Sequence, residues 1–247
     1  MSVVLIDADI LSYKIGFSCE HESEAEAART LSLFIETLIY EKLDIEKYEL
    51  FLTGKGNFRY DIAKTAEYKG NRKDFQKPVH LPFLRDYMVD VWSAKVSEGE
   101  EADDLIAIRA TELGEDGCII ASIDKDFLQI PGWHYNFNKD VKKHVSAHEG
   151  LLFFYSQILT GDRADNIPGA YRVGPVKAAK ILDGASTEIE MYQRCVEVLG
   201  KERVLENGRL LWLRRKVGEL WTPPSQETEE GGQKVDSTNL SKEDSEL

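Results

Sequence analysis

The sequence predicts an α/β fold with a mostly parallel central sheet flanked by helices. Short, mainly apolar runs at 3–6, 48–52 and 118–123 read as strands, the first and third of them buried. Longer stretches with apolar residues at helical spacing alternate with them, the pattern of parallel βα units. Acidic residues follow two of these runs directly.

In chain order, the strand of Val3, Val4, Leu5 and Ile6 ends in Asp7-Ala8-Asp9. A helix is expected over 22–43, where Leu31, Phe34, Ile35, Leu38 and Ile39 recur at helical spacing. A second strand follows at 48–52. Residues 54–78 are polar and basic, with Lys55, Arg59, Lys64, Lys69, Arg72, Lys73 and Lys77, and their weak periodicity suggests a mobile loop or partly helical arch. Next come a helix at 81–89, a strand near 91–96, a helix at 100–113, the strand at 118–123 and a helix at 151–160. Glycine-rich turns and short helices occupy 161–182, and helical segments continue to about 220. The expected organisation is a core over 1–160 with a basic arch at 55–80, a helical region over 161–221, and an acidic, disordered tail over 222–247 that lacks apolar residues to bury.

A chain of 247 residues can bury a sizeable core. No run approaches the roughly 20 apolar residues of a membrane span. The first apolar run is too short for a signal peptide and lacks a basic leader, so no membrane association and a cytoplasmic location are expected. Cys19, Cys118 and Cys195 are scattered and form neither a CxxC pair nor a cluster with the five dispersed histidines, which argues against disulfides and zinc. A net charge of −13 would ordinarily disfavour a nucleic-acid partner. Many of the acids lie in the tail or in a few motifs, however, where bound cations could neutralise them.

Those motifs hold Asp7 and Asp9, then Glu101, Asp103 and Asp104, then Asp124 and Asp126, and finally Asp162 and Asp165. Each alone has an ordinary explanation in helix capping, helix dipoles or turns. Beyond the carboxyl ends of parallel strands they could converge on one cleft. On a helix, Glu101 and Asp104 share a face with Leu105 and Ile108, which places the acids at an inner rim. Carboxylates gathered there raise one another's pKa unless cations pair them. Oxygen donors without histidine or cysteine suit Mg²⁺ or Mn²⁺, and two such ions roughly 4 Å apart can assist phosphodiester cleavage.

The segment Gly161-Asp162-Arg163-Ala164-Asp165-Asn166-Ile167-Pro168-Gly169, with Val173-Gly174-Pro175 and Lys177-Ala178-Ala179, resembles the helix–three-turn–helix of the 5′-nuclease superfamily. That superfamily contains flap endonucleases, phage 5′–3′ exonucleases and the 5′-nuclease domain of bacterial DNA polymerase I. Tyr68-Lys69-Gly70-Asn71-Arg72, Glu101-Ala102-Asp103-Asp104, Asp124-Lys125-Asp126 and Asp7 match further motifs in the same order. The resemblance implies a DNA-binding helix–three-turn–helix region and a helical arch beside the α/β core. It implies two Mg²⁺ or Mn²⁺ ions, one held by Asp7, Glu101, Asp103 and Asp124, with Asp104 in the same motif, and a second nearer Asp126, Asp162 and Asp165. Lys69 and Arg72 resemble the basic pair at the scissile phosphate. Val173 and Gly174 resemble a turn that grips duplex phosphates, in some members through K⁺; Lys177 would add a phosphate contact, and Arg172 would either add another or weaken ion binding at the turn.

Two departures stand out. Thr53-Gly54 occupies the place where the family often has an aspartate, and Asp61 is displaced from it. Arg172 takes the slot of a common glycine, with Val176 inserted before Lys177. Tyr60, Tyr68 and Phe75 interleave with the basic residues and could stack on bases or pack inward, whereas Trp133, Trp212 and Trp221 read as packing residues. The implied function is a metal-dependent 5′ nuclease, a 5′–3′ exonuclease or flap endonuclease of replication, repair or recombination in a bacterial or phage-infected cell. Its substrates would be DNA with 5′ ends, flaps or duplex–single-strand junctions, or RNA–DNA primers, bound by a monomer. The alternative is a catalytically weakened structure-specific DNA-binding protein on the same scaffold.

Overall fold

A computed structural model describes residues 2–72 and 75–225; the expected disordered tail falls almost entirely outside the described residues. The all-apolar start of the chain forms β1 (Val3–Asp7), buried along its whole length. The sheet continues with β2 (Tyr48–Lys55), β3 (Lys95–Glu98), β4 (Cys118–Ala121), β5 (Gly132–Asn136) and β6 (Val141–Val145), in the order β3-β2-β1-β4-β5-β6. All neighbours are parallel except the edge hairpin β5–β6. The sequence reading missed this hairpin. Its outer strand is lysine-bearing and exposed, as suits a protected sheet edge, and carries little apolar signal.

Alternation along β1 divides the packing between two faces. Val4 and Ile6 join Leu50, Leu52 and Ile119 against α1 (Ala8–Ser18), α2 (Glu24–Glu36) and α4 (Leu81–Trp92). Val3 and Leu5 join Phe51 and Ile120 against α5 (Ala102–Leu113). The helix α1 went unread in the sequence, because its apolar residues merge with the strand before it; it is started by Asp7, whose side chain accepts the Ile10 N–H. The expected helix over 22–43 begins instead after Ser23, which caps α2, and ends in a π-helical turn over Thr37–Leu43. The strand expected near 91–96 starts later. Val91 and Trp92 extend α4, where the Trp92 ring lies 5.7 Å from Tyr48, and Ser93 ends the helix in a left-handed conformation.

A second body of helices, α6 (Ala147–Thr160), α7 (Pro175–Leu182), α8 (Glu188–Leu199) and α9 (Lys201–Leu211), surrounds its own core of Phe154, Tyr155, Met191, Cys195 and Val204. The division expected at residue 160 therefore falls at the end of a helix that packs with those after it. All three cysteines are buried and free. No helix among the described residues is long and apolar enough to cross a membrane.

Among its described residues the basic segment is anchored and partly helical, one of the two forms expected of it. It contains the short helix α3 (Arg59–Ile62) and a 3₁₀ turn at Gly70–Arg72. Glu206 accepts hydrogen bonds from the backbone of Lys64 and Thr65, and Tyr68 is buried in the second core. Tyr60 and Phe75 stay exposed.

Trp221 closes the second core from outside, with Phe154 and Tyr155 edge-on at 5.7 and 6.4 Å. It rests on Gly208, where an added Cβ would lie 2.3 Å from the indole. Trp221→Ala is expected to cost about 3–5 kcal/mol of unfolding free energy in urea titrations.

Candidate active site

The parallel strands β1 and β4 are neighbours, so their carboxyl ends open onto the same edge of the sheet, at the point where strand order reverses. Asp7 ends β1, and its second oxygen accepts the Ser122 hydroxyl at 2.7 Å just beyond β4. Ser122 Oγ in turn accepts the Asp124 N–H at 3.0 Å, and Asp124 Oδ1 accepts the Asp126 N–H at 2.8 Å. A chain of bonds thus fixes the acids of both strands relative to one another. Glu101 caps α5 and presents Asp103 in its first turn. Asp162 and Asp165 approach from the turn after α6, where Asp162 Oδ1 accepts the Ala164 N–H at 2.7 Å.

Burial and mutual repulsion act on this group. Burial, with help from Asp9 and Asp124, lifts Asp7 to about 7 despite its two hydrogen bonds. Burial and the charges of Asp7, Glu101 and Asp124 hold Asp103 far above the usual carboxylate range. Asp124 is raised by burial, and its acidic neighbours add to the rise. Asp126 reaches about 6 through burial and the charge of Asp124. Burial also raises Asp165, and Lys69 and Arg72 offset only part of the rise.

Cations from elsewhere in the chain answer this charge. Lys69 pairs closely with Glu101, while Arg72 reaches Asp165 Oδ1 at 2.5 Å. Burial opposes ionisation of Glu101, but Lys69 and Arg59 outweigh it and lower its pKa. Lys69 sits at φ 54°, outside the usual range for a side-chain-bearing residue, and its N–H donates to the Asp165 carbonyl at 2.9 Å. Tyr68 OH stands 2.8 Å from Glu101 and 2.9 Å from Asp165, bridging the two acids. Lys125 and Arg163 adjoin the acids in sequence and Lys69 and Arg72 were expected beside them; Arg59 and Arg85 are brought in by the fold.

Asp104 requires a correction. It was expected among the metal ligands, but it is fully buried, and Arg59 takes both of its oxygens at 2.6 and 2.8 Å. Its backbone spacing does put it on the inner face, as expected, but facing an arginine. The absence of an acid at position 54, inside β2, has a steric cause. A Cβ at Gly54 would lie 2.0 Å from the Ser97 carbonyl, so no side chain fits there. Thr53 Oγ1 accepts the Ala102 N–H at 2.9 Å and helps start α5. Asp9 accepts the Thr53 N–H at 2.9 Å and pairs with Arg85, which also donates to the Thr53 carbonyl. Arg85 gave no sequence signal, being one arginine on an amphipathic helix.

The residues expected to touch DNA lie around the start of α7. Gly174 precedes the helix, Pro175 fills its first position, and Lys177 is exposed in its first turn. Val173 turns its side chain into the core. Arg172 adopts φ 56°, the left-handed conformation a glycine would take, and its guanidinium lies 5.1 Å from the exposed Tyr171 ring.

Comparison with known proteins matches residues 2–150 to the family described as 5′–3′ exonuclease, N-terminal resolvase-like domain. The chain belongs to this family. It is 30% identical over 224 residues to DNA polymerase I of Bacillus subtilis, across 81% of this chain and 25% of that protein. It is also 30% identical over 158 residues to flap endonuclease Xni of Shewanella sediminis, across 58% and 62% of the two chains. The chain thus spans about a quarter of the polymerase it matches. Its fold is that of the bacteriophage T5 flap endonuclease crystallised in a pseudo-enzyme–product complex with DNA and metal ions, with a TM-score of 0.61, 18% identity, and coverage of 85% of this chain and 86% of that one.

Among the described residues no three acidic, histidine or cysteine side chains yet converge to enclose one ion. The donor set nonetheless fits a hard divalent cation. Every donor is a carboxylate oxygen, and the elevated Asp7, Asp103 and Asp124 carry a repulsion that such an ion would relieve.

Two outcomes test these electrostatics. Arg59→Met leaves Asp104 buried without its partner and is expected to cost about 3–5 kcal/mol in chemical denaturation, much of it recovered in Arg59→Met/Asp104→Leu. In metal-free buffer, folded Asp7 holds its proton up to about 7 while the unfolded group releases it near the ordinary aspartate value of 3.8. Its contribution to stability therefore falls as pH rises across that window. Asp7→Asn should gain stability relative to wild type between those pH values, read from melting temperatures at each pH.

Proposed function

We propose that this chain is a metal-dependent 5′ nuclease that hydrolyses phosphodiester bonds in DNA bearing 5′ ends, flaps or duplex–single-strand junctions. The observation that carries the reading is the mutual repulsion of Asp7, Asp103 and Asp124, gathered from two strand ends and a helix start beside Lys69 and Arg72. Asp7, Glu101, Asp103 and Asp124 would hold one Mg²⁺ or Mn²⁺ ion, and Asp126, Asp162 and Asp165 a second. Such ions supply Lewis-acid activation of water and neutralise charge at the phosphate. Lys69, with its backbone fixed and its ammonium at the rim of the acids, would orient the scissile phosphate and stabilise developing negative charge, and Arg72 would assist from the same turn. The turn at Val173 and Gly174, with Arg172 and Lys177, would hold the duplex at a distance from the cut, the role of a helix–three-turn–helix. Belonging to the 5′–3′ exonuclease family supports this reading.

Gly54 favours a second reading, because this position near the end of β2 excludes an acidic side chain. On that reading the protein binds branched DNA without cutting it.

A 5′-labelled flap duplex incubated with Mg²⁺ or with EDTA separates the two. Cleavage is expected with Mg²⁺ and none with EDTA, and Asp124→Asn should abolish it. Binding without cleavage at any Mg²⁺ or Mn²⁺ concentration would select the second reading, while undiminished cleavage in EDTA would refute the first. Lys69→Met is expected to lower the single-turnover rate roughly 100-fold with little loss of affinity. Lys177→Ala should weaken duplex binding and reduce its log–log salt slope by about 1. Reversal of these two effects would exchange the places assigned to cleft and duplex grip.

A further inference from the structure

Lys125 stands between two carboxylates of the acidic group, Asp126 and Asp162. Its ammonium lies 2.7 Å from Asp162 Oδ2 and 3.2 Å from Asp126 Oδ1. Divalent ions sit about 2.0–2.6 Å from carboxylate oxygens, so an ion shared by this pair would claim the space the ammonium now fills. The partners of this ion pair differ in how freely they meet water: the Asp162 side chain is 6% exposed, whereas Lys125 is 61% exposed. A buried carboxylate needs a positive partner, and an exposed lysine can withdraw into solvent at little cost. Burial opposes ionisation of Asp162, yet Lys125 and two backbone N–H groups keep its pKa low.

An independent feature adjoins the same pair. Gln157 projects from α6 and is 5% exposed. Its Nε2 donates to Asp126 Oδ1 at 2.6 Å, which identifies the nitrogen end of the amide, since a carboxylate oxygen accepts. Its Oε1 is buried without a hydrogen-bond partner among the described residues. A buried acceptor beside an acidic pair is left one donor short, and an ordered water accompanying a cation would supply it.

We propose that Lys125 is a built-in counter-ion occupying a divalent-cation site formed by Asp126 and Asp162 and completed by Gln157, so that an ion enters only by displacing the ammonium. This rests on the reading that the acidic group holds divalent ions. It adds that the two halves of the group differ: among the described residues Asp7, Asp103 and Asp124 form no ion pair, the lysine of that half, Lys69, pairing with Glu101 instead, so that half fills first and the Asp126–Asp162 pair fills later. Gln157 acts as a positioning residue, holding Asp126 through its nitrogen while its oxygen orients the water.

Calorimetric titration of metal-stripped full-length protein with Mn²⁺, without DNA, tests this directly. Wild type is expected to show a tighter and a weaker class of ion. Lys125→Met should tighten the weaker class about tenfold, because no ammonium is displaced. Arg163→Met, which removes the same charge from the neighbouring turn without touching the pair, should change it less than about twofold. Gln157→Leu should weaken that class roughly tenfold, the usual effect of losing an outer partner of a metal ligand. Unchanged or weaker binding in Lys125→Met, or equal tightening in Arg163→Met, would overturn the counter-ion role. An unaltered weaker class in a folded Gln157→Leu would overturn the role of Gln157, and the exposed Lys125→Met keeps the test valid should Gln157→Leu fail to fold. Absence of Mn²⁺ binding in wild type and all variants would overturn this proposal together with the metal reading itself, an outcome distinct from the others.

Discussion

The bidentate ion pair between Arg59 and Asp104 joins three stretches that are far apart in sequence: the base of the basic segment, the helix carrying the acidic motif, and the chain leaving α9. Arg59 is 2% exposed and Asp104 wholly buried. Removing two charges from water is costly, and the pair is tenable because nearly every donor and acceptor is used. Besides Asp104, the guanidinium donates to the carbonyls of Leu210 and Trp212 at 2.8 and 2.9 Å. Asp104 also accepts the backbone N–H groups of Glu101 and Arg214. The neighbouring arginines extend this arrangement, with Arg214 stacked 3.6 Å from the Phe58 ring and Arg215 donating to the Gln129 carbonyl. Moving any one of the three stretches would leave a charge or a carbonyl stranded, so Glu101 and Tyr68 inherit their positions from a pair that does not face the cleft.

The cleft itself follows the opposite logic. Its acids are crowded and incompletely compensated, and the cations nearest them come from side chains that can be withdrawn. Lys69 is 18% exposed and Arg72 48% exposed, far more than Arg59. Permanent charge pairs are thus confined to the interior, and exchangeable ones line the opening.

The strands β1, β2 and β4, the mostly parallel sheet and the acids that end β1 and follow β4 were legible in the sequence, because a buried strand shows as a short, mainly apolar run and an acid beyond it breaks that run visibly. The order of motifs from Asp7 to Lys177 carried the family. What escaped was information that is not periodic. The helix α1 shares its apolar residues with β1, and the β5–β6 hairpin has lysines where a strand signal would be. Asp104 lies on the inner face its spacing implied, but spacing could not reveal Arg59 arriving from 45 residues earlier. Gln157 and Arg85 are single residues on helices whose partners lie 31 and 76 positions away, and only the fold brings them into view.

The tight passage at Gly54 bears on how this chain could change over evolutionary time. With the Ser97 carbonyl against its α-carbon, position 54 is closed to every residue with a side chain unless β2 and β3 separate. A lineage that needed another acid at this end of the sheet would have to place it at Thr53, whose hydroxyl already accepts the first free N–H of α5. An aspartate can cap a helix as well as a threonine can. The route to a more acidic cleft therefore runs through a single neighbouring codon that preserves the cap, while the adjacent glycine stays locked by the sheet.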